Sequence, residues 1–182
     1  MRFFAGYQLL EEIGRGALAT VFRARAPGGD EVAVKVLDAE PHREAAVRFE
    51  REQRILAALG EGRGLLPLIT FGGPPHAERP FIVMPYAAGG SLRDRLRGGP
   101  LAVRDTIALG VSLAKALHVA HERGVVHRDV KPENVLFTRR GRTAVEWGEP
   151  LLVDFGLAKM FGDGRDASPS FTTTGDIVGT MS

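Results

Sequence analysis

Apolar and polar residues alternate along the first half of the chain, which is typical of strands that bury one face. The sequence Pro27-Gly28-Gly29-Asp30 is a strong turn signal between two such segments. The alternation predicts five strands, at residues 7–13, 20–25, 31–37, 66–71 and 81–84. Because neighbouring segments are joined by short turns, the sheet they form is expected to be mostly antiparallel.

One amphipathic helix is predicted within this half, at residues 43–59. Its buried stripe is expected to consist of Phe49, Glu52, Ile55, Leu56 and Leu59. Glu52 is a carboxylate on an otherwise apolar face, where it needs a cation, whereas Glu50 lies on the polar side. Glu52 is therefore expected to form an ion pair inside the protein.

The pattern becomes helical after Ala87-Ala88-Gly89-Gly90-Ser91, a glycine-rich stretch that indicates a hinge. A second helix is predicted at residues 103–123, ended by Gly124. Its apolar stripe is expected to consist of Ile107, Val111, Ala114, Leu117 and His121. Short strands are predicted at 135–137 and 151–153, on either side of a polar loop at 138–149. The predicted class is α+β.

Composition narrows the class of protein without defining it. Hydrophobic residues make up 44% and charged residues 25%, as in ordinary globular proteins. The net charge of +2 is too small to indicate a nucleic-acid partner. Zero cysteines exclude disulfides and thiolate metal sites, and they fit the cytoplasm. No apolar run approaches the roughly 18 residues of a membrane helix, so no membrane segment is expected in this chain.

The strongest chemical signal is the stretch His127-Arg128-Asp129-Val130-Lys131-Pro132-Glu133-Asn134, followed by Asp154-Phe155-Gly156. Its order suits phosphoryl transfer from a nucleotide. Asp129 would orient a hydroxyl and accept its proton, and Lys131 would neutralise charge on the transferring group. Asn134 and Asp154 would hold Mg²⁺ through oxygen atoms. The alternative is a polar loop with structural hydrogen bonds, and such a packed role is expected for His127.

Two features of the first strands fit the same chemistry. Gly14-Arg15-Gly16 would let backbone N–H groups approach a triphosphate, although two glycines between strands also occur in ordinary turns. Ala19 stands where a third glycine is expected, which weakens this signal. Lys35 would direct its ammonium at the phosphates and be held by Glu52; the alternative is a surface lysine on an edge strand.

Together these motifs resemble the eukaryotic-type (Hanks-type) protein kinases, and Lys131 within Asp-x-Lys-Pro-x-Asn is similar to the serine/threonine enzymes, nearest to their bacterial branch. The resemblance implies a two-lobed fold with ATP between the lobes. Residues 1–86 would form the N-lobe, an antiparallel sheet with the Glu52 helix. Residues 87–182 would form part of a mainly helical C-lobe, with hinge, catalytic loop, metal-binding loop and activation segment.

The resemblance also implies the nucleotide-contacting residues. Met84 resembles the gatekeeper, and Pro85 and Ala87 resemble hinge residues whose backbone contacts adenine, although such apolar positions could equally be ordinary core. The implied nucleotide site consists of Ile13, Gly14, Gly16, Val21, Ala33, Lys35, Met84, Pro85, Ala87, Ser91 and Leu136. The implied catalytic group is Asp129, Lys131, Lys35 and Glu52, with Asn134 and Asp154 as metal ligands.

The resemblance implies ATP and Mg²⁺ as cofactors and protein serine or threonine hydroxyls as acceptors. Thr172 and Thr174 resemble the activation threonines that such kinases autophosphorylate; a phosphate there would pair with Arg128, and Thr180 could contact Asp129. The family pattern continues past Thr180, so the chain is expected to be a fragment or a truncated form. Two alternatives stay open: a catalytically incomplete, pseudokinase-like nucleotide-binding module, and a membrane anchor in a further C-terminal part.

Overall fold

The structure is a computed structural model of the chain, and it describes residues 2–16, 18–38, 43–139, 141, 147–155 and 159–160. The helices and strands are β1 (Arg2–Phe4), β2 (Tyr7–Arg15), β3 (Ala19–Arg25), β4 (Glu31–Leu37), α1 (Arg43–Leu59), β5 (Thr70–Gly72), β6 (Phe81–Pro85), α2 (Leu92–Leu96), α3 (Val103–Glu122), β7 (Val125–Val126), β8 (Val135–Phe137), β9 (Pro150–Leu152) and β10 (Lys159–Met160), with a 3₁₀ turn at Pro132–Asn134.

The first six strands form one antiparallel sheet in the order β1-β2-β3-β4-β6-β5. Successive side chains of a strand point to opposite faces, so the β4 valines 32, 34 and 36 pack with Phe4 and Phe81 on one face. Leu37 packs into the larger core, which also contains the buried stripe of α1. Lys35, between the valines, therefore lies on the same face of the sheet as α1.

The predicted strand at residues 66–71 is wrong in its bounds, because β5 covers only Thr70–Gly72. Pro67 has no N–H to give to a sheet ladder. Leu66 instead donates its N–H to the Leu152 carbonyl at 3.2 Å, outside the six-stranded sheet. The other four predicted strands of this half are present, and β1 was not predicted.

The buried stripe predicted for α1 is confirmed. Its five residues are all buried, and the helix runs over the predicted residues 43–59. Glu50, assigned to the polar side, is exposed. The spacing was decisive because these positions recur every three or four residues and no other face of the helix is apolar.

The stripe predicted for α3 is wrong. Ile107 is 62% exposed and Val111 is 49% exposed, whereas Ala116 and Ala120 are buried. Leu117 is the member of the predicted stripe that packs against the core. The face that packs against the core instead combines Leu109, Leu113 and Leu117 with the two buried alanines, and the backbone of Gly64 approaches it at Ala116.

The loop at residues 60–69, which follows α1, contacts both α3 and β9. A Cβ on Gly64, whose φ is +80°, would lie 2.8 Å from the Cβ of Ala116. The Gly64 carbonyl accepts the Leu152 N–H at 2.8 Å. The Arg123 guanidinium, just after α3, donates to the Leu59 carbonyl at the end of α1. The C-terminal end of α1 is therefore bound directly to the second half of the chain.

Replacing Gly64 by alanine is expected to lower the free energy of unfolding by roughly 2–3 kcal/mol, because the new Cβ meets both a left-handed backbone and a close neighbour. Urea denaturation measures this. Gly28→Ala is the control, because a Cβ at Gly28 has no atom within 4 Å and no positive φ to oppose it. Its effect is expected to stay within about 0.5 kcal/mol. Equal midpoints for the two variants would contradict the close packing described for Gly64.

Of the described helices, none combines the length and the apolar content that crossing a membrane requires.

Candidate active site

A cleft of about 920 Å³ lies between the six-stranded sheet and α1 on one side and α2 and the 127–136 segment on the other. Every site residue predicted from the sequence lines it except Lys131, which contacts Asp129 instead. The residues brought together at the cleft are Ile13, Gly14, Gly16, Val21, Ala33, Lys35, Glu52, Met84, Pro85, Ala87, Ser91, Asp129, Asn134, Leu136 and Asp154. Gly156, Thr172, Thr174 and Thr180 lie outside the described residues.

Lys35 and Glu52 form a largely buried ion pair. The Lys35 Nζ donates to both Glu52 oxygens, at 2.6 and 2.7 Å, and the side chains are only 18% and 7% exposed. Burial raises the pKa of the Glu52 carboxyl, and the Lys35 ammonium opposes that rise. Asp154 Oδ1 lies 3.6 Å from the same Nζ. One ammonium thus connects β4, α1 and the segment that follows β9.

The segment between β7 and β8 gathers a second set of charged and polar groups. Lys131 Nζ lies 2.6 Å from Asp129 Oδ2. This hydrogen bond raises the pKa of Lys131, so the amine stays charged. Asn134 donates from Nδ2 to the Asp129 carbonyl at 2.8 Å and to Oδ2 at 3.2 Å. One carboxylate oxygen, Oδ2, therefore has two donors, and Oδ1 has none among the described residues.

His127 has the packed, hydrogen-bonded role expected for it. Its ring is fully buried and lies 4.6 Å from the Phe155 ring. Nδ1 accepts the Asp129 N–H at 3.2 Å, so the proton belongs on Nε2, which donates to the Val153 carbonyl at 2.9 Å. Both ring nitrogens are occupied by the backbone. His127 therefore connects the Asp129 segment to the Asp154 segment and is not placed to act as a base.

The neutral form of His127 gives folding a pH dependence. Burial lowers its pKa below the ordinary value of 6.5. Its contribution to stability is fully present above about pH 6.5 and is lost as the pH falls toward the lower folded value, because the unfolded chain takes up the proton first. We expect the free energy of unfolding to fall between about pH 7.5 and 5.5, with a smaller slope in His127→Gln.

Chemical denaturation at the two pH values measures that slope. His76→Gln is the control, since His76 is exposed and should leave the wild-type slope unchanged. An unchanged slope in a folded His127→Gln variant would show that His127 is not the source of the dependence.

Two residues at the site have a left-handed backbone that L-residues rarely adopt. Arg128, immediately before Asp129, has a φ of +68°, and Asp154 has a φ of +63°. Such conformations cost roughly 1–3 kcal/mol each and persist where the surroundings fix them. Here the Val153 N–H donates to the Asn134 carbonyl at 2.9 Å. The strained positions are thus Asp154 itself and the residue before Asp129, the two carboxylates that face the cleft.

The turn at Gly14-Arg15-Gly16 lines the cleft but is hydrogen-bonded like an ordinary hairpin. Gly14 and Arg15 belong to β2, and the Gly16 N–H donates to the Ala19 carbonyl at 2.9 Å. That N–H is therefore used within the turn in this conformation. Arg15 pairs with Glu12 at 2.6 Å on the exposed side of the strand. The turn forms one wall of the cleft while its described hydrogen bonds are those of an ordinary hairpin.

The hinge stretch is joined to β8 by backbone hydrogen bonds. The Gly89 N–H donates to the Phe137 carbonyl at 2.8 Å, and the Phe137 N–H donates to the Gly90 carbonyl at 3.0 Å. Ser91 caps α2: its Oγ accepts the Asp94 N–H at 3.1 Å, and the Asp94 carboxylate accepts the Ser91 N–H at 3.1 Å. Asp94 also lines the cleft and was missed, although Ser-x-x-Asp is a capping-box signal.

The donor set at the cleft fits a hard metal ion that shares its ligands with phosphate. Asn134 and Asp154 offer oxygen atoms, which Mg²⁺ prefers, and Mg²⁺ usually keeps water and phosphate as further ligands. Within the described part of the chain, no group of three or more His, Asp or Glu could hold a metal by itself. Asn134 and Asp154 therefore supply part of an oxygen ligand set, which water or phosphate oxygens would complete.

This arrangement of sheet, helix and paired charged groups is that of the protein kinases. Residues 7–181 match the family described as "Protein kinase domain", and the chain belongs to that family. The predicted kinase-like, two-lobed α+β fold class is confirmed by this membership.

Curated relatives place it among the bacterial serine/threonine protein kinases. It is 44% identical over 176 residues to serine/threonine-protein kinase PknK of Mycobacterium tuberculosis, covering 92% of this chain and 15% of that protein. It is 40% identical to the DNA damage-responsive serine/threonine-protein kinase RqkA of Deinococcus radiodurans (93% and 25%). It is 34% identical to the probable serine/threonine-protein kinase SCO3848 of Streptomyces coelicolor (96% and 25%). The chain thus spans a quarter or less of each of these relatives.

Proposed function

We propose that this domain transfers the γ-phosphoryl group of ATP to serine or threonine hydroxyls of a protein substrate. The observation that carries the proposal is the convergence of two charged groups on one cleft: Lys35 with Glu52 and Asp154, and Asp129 with Lys131 and Asn134. Protein kinases in general use ATP and a divalent metal.

The nucleotide would lie against the inner face of the sheet. Ile13, Val21 and Ala33 from the sheet and Leu136 from β8 line the cleft on opposite sides, which suits a flat adenine ring. Pro85 and Ala87 would offer a carbonyl and an N–H to its edge, with Met84 behind them and Ser91 near the ribose. Lys35, fixed by Glu52, would contact the α- and β-phosphates.

Mg²⁺ fits the oxygen donors of Asn134 and Asp154, and when bound it neutralises charge on the phosphates. Asp154 is directed into the cleft by its left-handed backbone and lies within ion-pair distance of Lys35. The Asp154 carboxylate would thus face both Mg²⁺ and the Lys35 ammonium, the two cations proposed to bind the phosphates. Asn134, buried and bonded to Asp129, would hold the metal close to the acceptor side.

Asp129 would align the acceptor hydroxyl and take its proton through Oδ1, because its described donors both bind Oδ2. Lys131, held charged beside it, would offset negative charge on the transferring group. The backbone N–H of Asp129 is fixed by His127, which sets the direction of the carboxylate. This geometry favours catalysis over nucleotide binding alone.

We further propose the division into an N-lobe of residues 1–86 and a C-lobe portion of residues 87–182, autophosphorylation at Thr172 or Thr174, and action in the cytoplasm, where ATP is available. Arg128 supports the proposed autophosphorylation, because it is exposed next to Asp129 and could pair with a phosphate. The same chemistry on a protein hydroxyl accounts for both self-phosphorylation and transfer to a substrate.

The test incubates the chain with Mg²⁺, γ-labelled ATP and a basic protein acceptor, and then identifies the labelled amino acid. We expect label on serine or threonine that is lost when the metal is chelated. ADP binding is measured on the same sample. Binding without any transfer would overturn the proposal in favour of the pseudokinase-like, nucleotide-binding module.

A further inference from the structure

The guanidinium of Arg95, on α2, packs against two aromatic rings that contact each other edge to face. Its carbon is 4.5 Å from the centroid of the Phe137 ring and 4.3 Å from that of the Trp147 ring. The two ring centroids are 5.3 Å apart. Phe137 belongs to β8, and Trp147 belongs to the loop that follows it. Arg95 therefore joins three segments that are separate in sequence.

The same guanidinium donates to three backbone carbonyls. Nη2 donates to Gly89 at 2.9 Å and to Arg139 at 3.1 Å, and Nη1 donates to Gly141 at 3.3 Å. Trp147 Nε1 also donates to the Gly141 carbonyl, at 3.2 Å. Among the described residues no carboxylate binds Arg95. Carbonyl oxygens and ring faces thus bind its two terminal nitrogens, an arrangement that a planar guanidinium matches better than an ammonium, while Nε is buried without a hydrogen-bond partner among the residues that the structure describes.

Gly89 connects this arrangement to the nucleotide site. A Cβ on Gly89 would overlap the Arg139 carbonyl oxygen and lie 2.5 Å from that of Phe137, so the backbone segments are in direct contact. Gly89 lies between Ala87, which lines the cleft, and Ser91, which lines it and caps α2. Leu136, next to Phe137, lines the opposite wall. Moving the Gly89 carbonyl would therefore shift both walls of the proposed adenosine site.

We propose that Arg95 is a positioning residue for the nucleotide: by holding Gly89, Phe137 and the Trp147 loop together, it fixes the adenosine-binding walls. The inference rests on the proposed function for the identity of the ligand. Arg95 itself does not line the cleft described above and touches no reacting group. Its effect is accordingly on nucleotide affinity and not on the transfer step.

The test compares Arg95→Gln and Arg95→Lys with the wild type for Mg·ADP affinity by calorimetry and for transfer kinetics. Loss of the charged hydrogen bonds is expected to raise the Kd for ADP and the KM for ATP about tenfold, with kcat within about twofold. Lysine is not expected to rescue, because it has no planar fork for three carbonyls. Arg104→Gln, an exposed change on α3, is the matched control and should bind ADP like the wild type.

Trp147 gives a second readout, because it is the single tryptophan of the chain. We expect ADP to change its fluorescence with half-saturation at the calorimetric Kd. Trp147→Phe keeps a ring beside Arg95 but loses the bond to Gly141, and a smaller rise in Kd, about threefold, is expected. This variant tests the inference should Arg95→Gln fail to fold.

The outcomes separate the two proposals. Wild-type affinity in a folded Arg95→Gln variant, or in Trp147→Phe when Arg95→Gln does not fold, overturns the positioning role even if transfer is normal. If the wild type binds ADP but transfers no phosphate, the proposed function is overturned. If the Arg95 variants then bind ADP more weakly than that wild type, the positioning role is still supported. A wild type that binds no ADP overturns both.

Discussion

Replacing Asp129 by asparagine is expected to lower the rate of phosphoryl transfer by roughly 10²–10⁴-fold, the contribution typical of a positioned general base. The amide keeps the size of the carboxylate but cannot accept a proton at Oδ1. It also leaves Lys131, whose Nζ lies 2.6 Å from Asp129, without its counterion. Because the residues proposed to contact adenosine do not include Asp129, ADP affinity should stay within about twofold of the wild type.

The measurement is a steady-state transfer assay at saturating ATP, with ADP affinity measured separately. Asp30→Asn is the control: it makes the same chemical change in the exposed turn before β4 and should leave transfer unchanged. Equal transfer by the Asp129→Asn variant and the wild type would remove Asp129 from the mechanism. Loss of ADP binding in Asp129→Asn would indicate a wider collapse of the site.

Replacing Lys35 by methionine is expected to abolish transfer and to destabilise the protein by roughly 3 kcal/mol near pH 8, because it leaves a buried carboxylate without a cation. Burial already raises the pKa of Glu52, and the substitution removes the Lys35 ammonium that opposes this rise. A carboxyl with a raised folded pKa destabilises as the pH rises above its unfolded value. The loss should therefore shrink toward about pH 5, where Glu52 takes up a proton.

A double variant separates stability from activity. Lys35→Met with Glu52→Leu replaces the pair by apolar groups, and most of the lost stability should return while transfer stays absent. Arg15→Met is the control for stability. The Arg15–Glu12 pair has the same 2.6 Å distance as Lys35–Glu52 but is 62% and 40% exposed. Its loss should leave the free energy of unfolding nearly unchanged, because solvent screens an exposed pair. A similar cost for both single variants would show that burial of Glu52 does not matter.

The elements that the sequence predicted well are those with one clear apolar face. The α1 stripe, Glu52 included, was recoverable because its spacing allows a single buried side. The α3 stripe was not, because the helix carries large apolar residues on two sides and the loop that packs on Ala116, at Gly64, is distant in sequence. α2, only five residues long, has too little periodicity, and its signal was the capping box of Ser91 and Asp94.

The membership of the candidate site could be predicted, whereas much of its geometry could not. Motif spacing was enough to bring Lys35, Asp129 and Asp154 into one hypothesis. The sequence does not indicate which oxygen of Asp129 is occupied, or that Arg128 and Asp154 have left-handed backbones. The contact of Arg95 with Trp147 joins residues 52 positions apart, and neither residue belongs to a motif. Such pairings depend on tertiary packing, which local patterns do not encode.

Because α1 is attached at its C-terminal end, any rotation of the helix would move its N-terminal part most. Leu59 is held by Arg123 and the neighbouring loop, so a swing of the helix would turn about that end. Glu52 lies seven residues away, or about 10 Å along the axis at 1.5 Å per residue. A rotation of about 10° would displace its carboxylate by about 2 Å, so small angular changes in α1 would be sufficient to make or break its ion pair with Lys35.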